Sequence, residues 1–327
     1  MNRIITAFGI SAFLTMGLLA CGGGSGGGDA ELTYNGNTSP VRITQTNAEE
    51  LLASSYSQPQ ESKDTFDPDG LLGAASIGDL PPGEAGVQRA NRLLSAALTV
   101  TPRRFLLMKA GDGRVSAASM GSETMNGSCG GSATFSGNAD EQTGRFDGTF
   151  RFNDYCEDNV VLNGAMSISG TESQMTLTFD RMRSTEMGHS FTTSGTMVMT
   201  GGASGASIEM DLVMSDEQTG EMVWMQDLRM DVGEGSDMTG AYATVSMAGR
   251  IYHSDEGYVD ITTPVPFKTY MTGYYPVEGT LLLEGADGTR ARLVAVGGGS
   301  CTVEADTSGD GTFDYSETIS FDALSEV

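Results

Sequence analysis

The sequence predicts a mainly all-β protein: a large, curved antiparallel β-meander, open or barrel-like, with one or two short helices ahead of it. Three observations predict this. From about Val115 onward the apolar residues recur with a period of two, as in Phe146, Phe150 and Phe152, in Met175, Leu177 and Phe179, and in Ile208, Met210, Leu212 and Met214. Thr, Ser, Val and Phe are frequent throughout, which suits pleated, half-buried strands. Short polar turn signals separate the runs, among them Asp140–Gly144, Gly201-Gly202, Asp287-Gly288 and Gly309-Asp310-Gly311, so that about a dozen strands follow one another without long connections.

The elements are taken in chain order. Residues 1–20 form a targeting segment: Arg3 precedes an apolar run from Ile4 to Ala20, which ends in Leu18-Leu19-Ala20-Cys21. About 17 apolar residues interrupted by Gly9 and Gly17 are marginal for a spanning helix, and that reading leaves Cys21 unexplained. The run resembles instead the signal of bacterial lipoproteins, which implies cleavage before Cys21 and acyl chains on that cysteine. Gly22 follows rather than aspartate, which by resemblance to enterobacterial sorting implies the outer membrane. Residues 21–40 then read as the lipidated cysteine and a flexible Gly/Ser tether; Gly22 to Gly28 alone reach about 15 Å as a coil.

Residues 41–113 read as a helical and Pro/Gly-rich segment. Thr46 to Ala53 offers a capping residue, an acidic first turn and then apolar residues. Pro59, Pro68, Pro81 and Pro82 mark a linker, and a second helix is expected over Val87–Leu98, ended by Pro102. Residues 114–327 form the β domain. The pentapeptide D-E-Q-T-G occurs at Asp140–Gly144 and at Asp216–Gly220, and reads as recurrent turn chemistry rather than a duplication.

Charge narrows the function. With 43 Asp+Glu against 18 Lys+Arg the net charge is −25, a field that repels nucleic acid and anionic membrane surfaces. Cysteine usage fits an oxidising compartment. With Cys21 assigned to lipid, Cys129 and Cys156 bracket a candidate hairpin, Ser132 to Asn153, and are expected to pair, leaving Cys301 free. A zinc site finds no support, because there is no close C-x-x-C and only His189 and His253 are present. Nor is there a G-x-S-x-G nucleophile elbow. His253 is placed in a polar turn after a strand, without a triad companion. The 19 methionines raise copper, but pairs such as Met197 and Met199, or Met210 and Met214, fit a sheet core better. A transmembrane barrel is disfavoured by 7% aromatic content and by charged or hydroxylic outward positions.

One motif bears on a cofactor. Asp306 to Glu317, D-T-S-G-D-G-T-F-D-Y-S-E, matches the spacing of an EF-hand calcium loop. The flanks, however, alternate as strands: Cys301, Val303 and Ala305 before it, and Phe313, Tyr315, Ile319 and Phe321 after it. An extended strand puts Glu317 about 10 Å beyond Asp314 and out of the cage. Asp306, Ser308, Asp310, the Thr312 carbonyl and Asp314 remain as a weak calcium set on an acidic hairpin, whose Gly309 and Gly311 supply positive φ.

A resemblance joins these stretches. Tyr34-Asn35-Gly36-Asn37-Thr38-Ser39-Pro40-Val41-Arg42-Ile43-Thr44, then Gly249–His253 with Gly257-Tyr258-Val259, then Gly279–Ala286 with Ala291-Arg292-Leu293, look like a group of Gram-negative lipoproteins to which no activity is assigned. The likeness is patchy and runs from residue 34 to the C-terminus. It implies address and architecture only, and Ser308 stands where that group tends to carry aspartate. The expectation is a lipid-anchored outer-membrane protein with a non-enzymatic role in binding, surface display or envelope structure. The rival is a calcium-binding or calcium-stabilised lipoprotein; an envelope enzyme ranks last. The partner read from sequence is outer-membrane lipid through Cys21, with no nucleic acid; a protein or glycan partner is left unnamed.

Overall fold

The structure, a computed structural model, describes residues 32–56 and 122–324 except 141, 142, 158, 172, 187, 203 and 204. The targeting segment, Cys21, most of the tether and the expected helix over Val87–Leu98 lie outside the described residues.

The domain is one 14-stranded antiparallel sheet in which every strand pairs with its neighbours in sequence. Its first half is β1 (Glu123–Asn126), β2 (Gly130–Asp140), β3 (Arg145–Glu157), β4 (Val160–Gly170), β5 (Gln174–Glu186), β6 (His189–Gly202) and β7 (Gly205–Asp216). The second half is β8 (Met222–Ser236), β9 (Ala241–His253), β10 (Gly257–Tyr270), β11 (Glu278–Glu284), β12 (Arg290–Gly297), β13 (Ser300–Asp306) and β14 (Tyr315–Ser320). The expected meander is therefore present. β1 and β14 are its edges, with no ladder between them among the described residues.

Alternation sorts the side chains. Phe150 and Phe152, Leu177 and Phe179, and Ile208 through Met214 at every second position are buried in a single apolar cluster that draws on β1 through β13. The paired methionines are part of it: Met197 faces Met210 across β6 and β7, and both are buried. Thioethers fill such an irregular interior well.

The ladder is bent along one line. On β3, β5 and β8 the apolar period stretches from two to three, between Phe152 and Tyr155, Phe179 and Met182, and Met225 and Leu228, and each step is a bulge. Asp154, Arg181 and Asp227 take positive φ there. Glycines stand opposite: Gly164 on β4, Gly195 on β6 and Gly249 on β9. Polar neighbours hold the freed amides: the Asp154 N–H donates to Asn163 Oδ1 at 2.9 Å and the Arg181 N–H to Ser194 Oγ at 3.1 Å. Bulges increase local bend and twist, and a row of them curls the apolar face inward.

Helix α1 (Ala48–Ser55) lies against β12 and β13 and buries Ala48, Leu51, Leu52 and Ala53. Asn47 precedes it but caps no helix amide; its Oδ1 accepts instead from the Thr44 N–H at 2.7 Å and the Thr44 hydroxyl at 3.0 Å. The expected capping is thus replaced by a turn that steers the chain into the helix. At the other end Tyr56 packs on Phe267 and Phe321, with ring centres 4.9 and 5.4 Å apart. Phe321 itself begins a single helical turn, α2 (Phe321–Leu324), rather than continuing the β14 pattern.

Candidate functional site

Turns after odd-numbered strands share one end of the sheet, and the chain enters there. Residues 34–43 form a strap across that end. Pro40 bridges Tyr258 in parallel, the Tyr258 N–H donates to Ser39 O at 2.9 Å, and the Val41 N–H donates to Tyr258 O at 2.8 Å. The Asn37 N–H donates to Ser254 O and the Ala286 N–H to Val41 O. Val41 and Ile43 then enter the core. Glycine is required beneath the strap: a Cβ on Gly257 or on Gly285 would collide with the carbonyl oxygens of Ser39 and Val41.

The strap covers an aromatic row on the solvent side of the sheet. Trp224, Tyr252 and Tyr258 stand directly across from one another on β8, β9 and β10. Trp224 and Tyr252 stack at 4.7 Å, and Tyr34 tilts over both at 5.8 and 5.4 Å. The indole N–H donates to Asp211 Oδ1 at 2.7 Å and the Tyr252 hydroxyl to Gln226 Oε1 at 3.1 Å. Arg250 lies 3.9 Å over the Tyr258 ring and donates to both oxygens of Asp260. Burial, with Tyr252 and the Asp255 charge behind it, pushes the Tyr34 hydroxyl up to about 12. This row was missed in the sequence, although its signal is present: aromatic residues at positions of outward parity, where alternation demands polar ones.

The acidic loop closes the same end between β13 and β14. As expected, strands flank it, Glu317 lies within β14, and Gly309 and Gly311 have φ of 78° and 88°. Asp306 is buried: its Oδ1 accepts from the Gly309 N–H at 2.8 Å and from the Ser308 hydroxyl, and its Oδ2 accepts from the Gly311 N–H at 2.8 Å. Burial pushes its pKa up, but the Gly311 and Gly309 amides outweigh it and the net shift is downward. Asp310 accepts from the Thr312 N–H at 2.8 Å, and Asp314 accepts from the Thr307 hydroxyl and N–H, which hold its carboxyl low. Glu317 accepts from the Tyr315 hydroxyl at 2.6 Å. Every carboxylate of the expected calcium set is thus engaged in shaping the loop. Among the described residues no group of three or more His, Cys, Asp or Glu side chains is placed to share a metal ion.

The remaining candidates separate. Cys129 and Cys156 form a disulfide with Cα atoms 5.1 Å apart, and Ser132 pairs with Asn153 as the candidate hairpin requires. Cys301 is free and buried, its thiol pushed up to about 11 by burial and then by the Glu49 charge. His253 corrects its expected place: it is the last residue of β9 rather than part of the turn, with Nε2 buried and unbonded and its pKa lowered by burial. His189 opens β6 on the exposed side, so the two histidines belong to different strands and settings. The two D-E-Q-T-G turns match each other: Gly144 and Gly220 each donate to the first aspartate's carbonyl, at 2.8 and 2.9 Å, and each Thr N–H donates to that aspartate's side chain.

Comparison with family models, with curated proteins and with solved structures finds no match.

Proposed function

We propose that this chain is a lipid-anchored protein of the outer membrane whose β domain acts by binding, without catalysis of its own. The observation that carries the anchor is Leu18-Leu19-Ala20-Cys21 followed by Gly22–Gly28, a cleavage and acylation signal joined to a tether. The strap supports it, since the stretch expected as flexible tether up to residue 40 is in fact bound from Asn37 onward, locked onto the sheet by backbone bonds. The non-catalytic reading draws on the pairing of outward charges. Arg183 grips Glu217, Arg229 grips Asp231 and Arg250 grips Asp260, with both oxygens of each carboxylate engaged by the guanidinium. Hydrogen bonds from the arginines hold Glu217 and Asp231 low, away from the poise that general acid–base chemistry needs.

Calcium stabilisation is the rival, resting on the spacing Asp306, Ser308, Asp310, Asp314. It ranks second because those carboxylates already hold their own loop. The anchor is tested by Cys21→Ser. The wild type is expected to take up labelled palmitate and partition into detergent, while the variant stays an unprocessed precursor. Normal processing of the variant together with an unacylated wild type would overturn the proposal.

A further inference from the structure

The end of the sheet opposite the strap has a different surface. Among the described residues six large apolar side chains stand exposed, and Met238, Met271, Tyr274, Val277 and Val296 all sit in or beside its turns. Scattered exposed apolar residues need no explanation, but these adjoin. The Met271 N–H donates to Ala241 O at 3.0 Å, joining the β10–β11 connection to the β8–β9 turn. A Cβ on Gly297 would lie 3.6 Å from Val277 O, and one on Gly299 would lie 3.0 Å from the Tyr275 ring, joining it to the β12–β13 turn.

The patch is also pre-shaped. Asp237 Oδ1 accepts from the Thr239 and Gly240 N–H groups, and its Oδ2 accepts from Lys268 Nζ at 2.7 Å and from the Tyr270 hydroxyl at 2.9 Å. That network fixes the turn that presents Met238, which is fully exposed. Preorganised apolar knobs bind with little ordering cost. Among the described residues the charged side chains in and beside these turns are Glu234, Asp237, Glu278 and Asp322, with Lys268, which pairs with Asp237.

We propose that this end binds a cationic amphipathic segment of a partner protein, apolar on one face and rimmed by Lys or Arg. Charge complementarity selects that occupant. A second copy would bring another net charge of −25 against the first. An anionic bilayer surface is repelled by the same net charge. The inference does not rest on the anchored reading.

The test uses the mature protein, in lipid nanodiscs if acylated and in buffer if not. A fluorescent amphipathic Leu/Lys helix of about four turns is titrated and followed by anisotropy. Binding is expected, weaker by at least about tenfold for a scrambled peptide of equal charge and for Met238→Asp and Tyr274→Asp. Ser173→Asp, which adds the same charge to the polar β4–β5 turn at the same end, should bind as the wild type does. Absence of binding, or equal binding by Met238→Asp and the wild type, overturns the proposal. So does flotation with phosphatidylethanolamine vesicles, or dimerisation, that Met238→Asp abolishes. Loss of acylation at Cys21 with peptide binding intact counts against the anchor alone.

Discussion

Gly195 on β6 faces Leu212 on β7 so closely that a Cβ at Gly195 would lie 2.9 Å from the Leu212 Cα and 2.1 Å from the Asp211 carbonyl oxygen. Its φ of 129° is one that side-chain-bearing residues avoid. Gly195→Ala therefore carries both a clash and backbone strain, and should cost about 2–4 kcal/mol. Urea unfolding checks this. A change under 0.5 kcal/mol would show that the bulge row does not depend on glycine.

The disulfide ties the β1–β2 turn to the end of β3 beside the short edge strand β1. Reducing Cys129–Cys156, or replacing both residues by serine, should lower stability by about 2–4 kcal/mol. Unfolding with and without reductant measures it. Under non-reducing denaturation one thiol, Cys301, should titrate if Cys21 is acylated, and two if it is not.

His253 should make the fold acid-sensitive near neutrality. Its folded pKa lies below the ordinary value, so the stabilising neutral form is fully present above about 6.5 and is lost as the pH falls through the lowered pKa. The slope approaches roughly 1.4 kcal/mol per pH unit for one proton. His253→Phe should flatten the melting profile between pH 7 and 5. An equally steep profile in the variant would assign the sensitivity elsewhere.

The acidic loop separates structural from metal-linked carboxylates. Asp306→Ala should lower the melting temperature equally in calcium and in chelator, because it removes a cap on the Gly309 and Gly311 amides. Asp310→Ala should matter little in chelator. A calcium-dependent rise in melting temperature that Asp310→Ala abolishes would establish the calcium reading.

Much of the sheet was legible because alternation states which side chains face inward, and Ser132 to Asn153 named a true register pair. The bulges were legible in principle: a spacing of three between Phe179 and Met182 inside a strand is the mark of an inserted residue. A strict two-residue period laid across the strand hides it. The acidic turn was readable since Gly309 and Gly311 allow few backbones. What Asp306 does there was not, because the amides that claim its oxygens are fixed by the loop's path rather than by spacing. Tyr34 over Trp224 was out of reach for another reason: no local rule links residues 190 positions apart, and the fit depends on Gly257 and Gly285 clearing space for the strap.

The strap has a mechanical consequence. It runs parallel to β10 where Pro40 meets Tyr258, held by bonds on both sides of that residue. On the proposed anchoring at Cys21, a tug between membrane and domain is applied along the strap. Its hydrogen bonds are then loaded together, in shear, rather than peeled one after another from an edge. Behind them Val41, Ile43 and α1 sit in the interior like a toggle behind a buttonhole. Such a joint holds its load without a covalent cross-link between strap and sheet. In single-molecule pulling from residue 32, the strap and α1 should release at high force as one event, and only afterwards should the meander unravel.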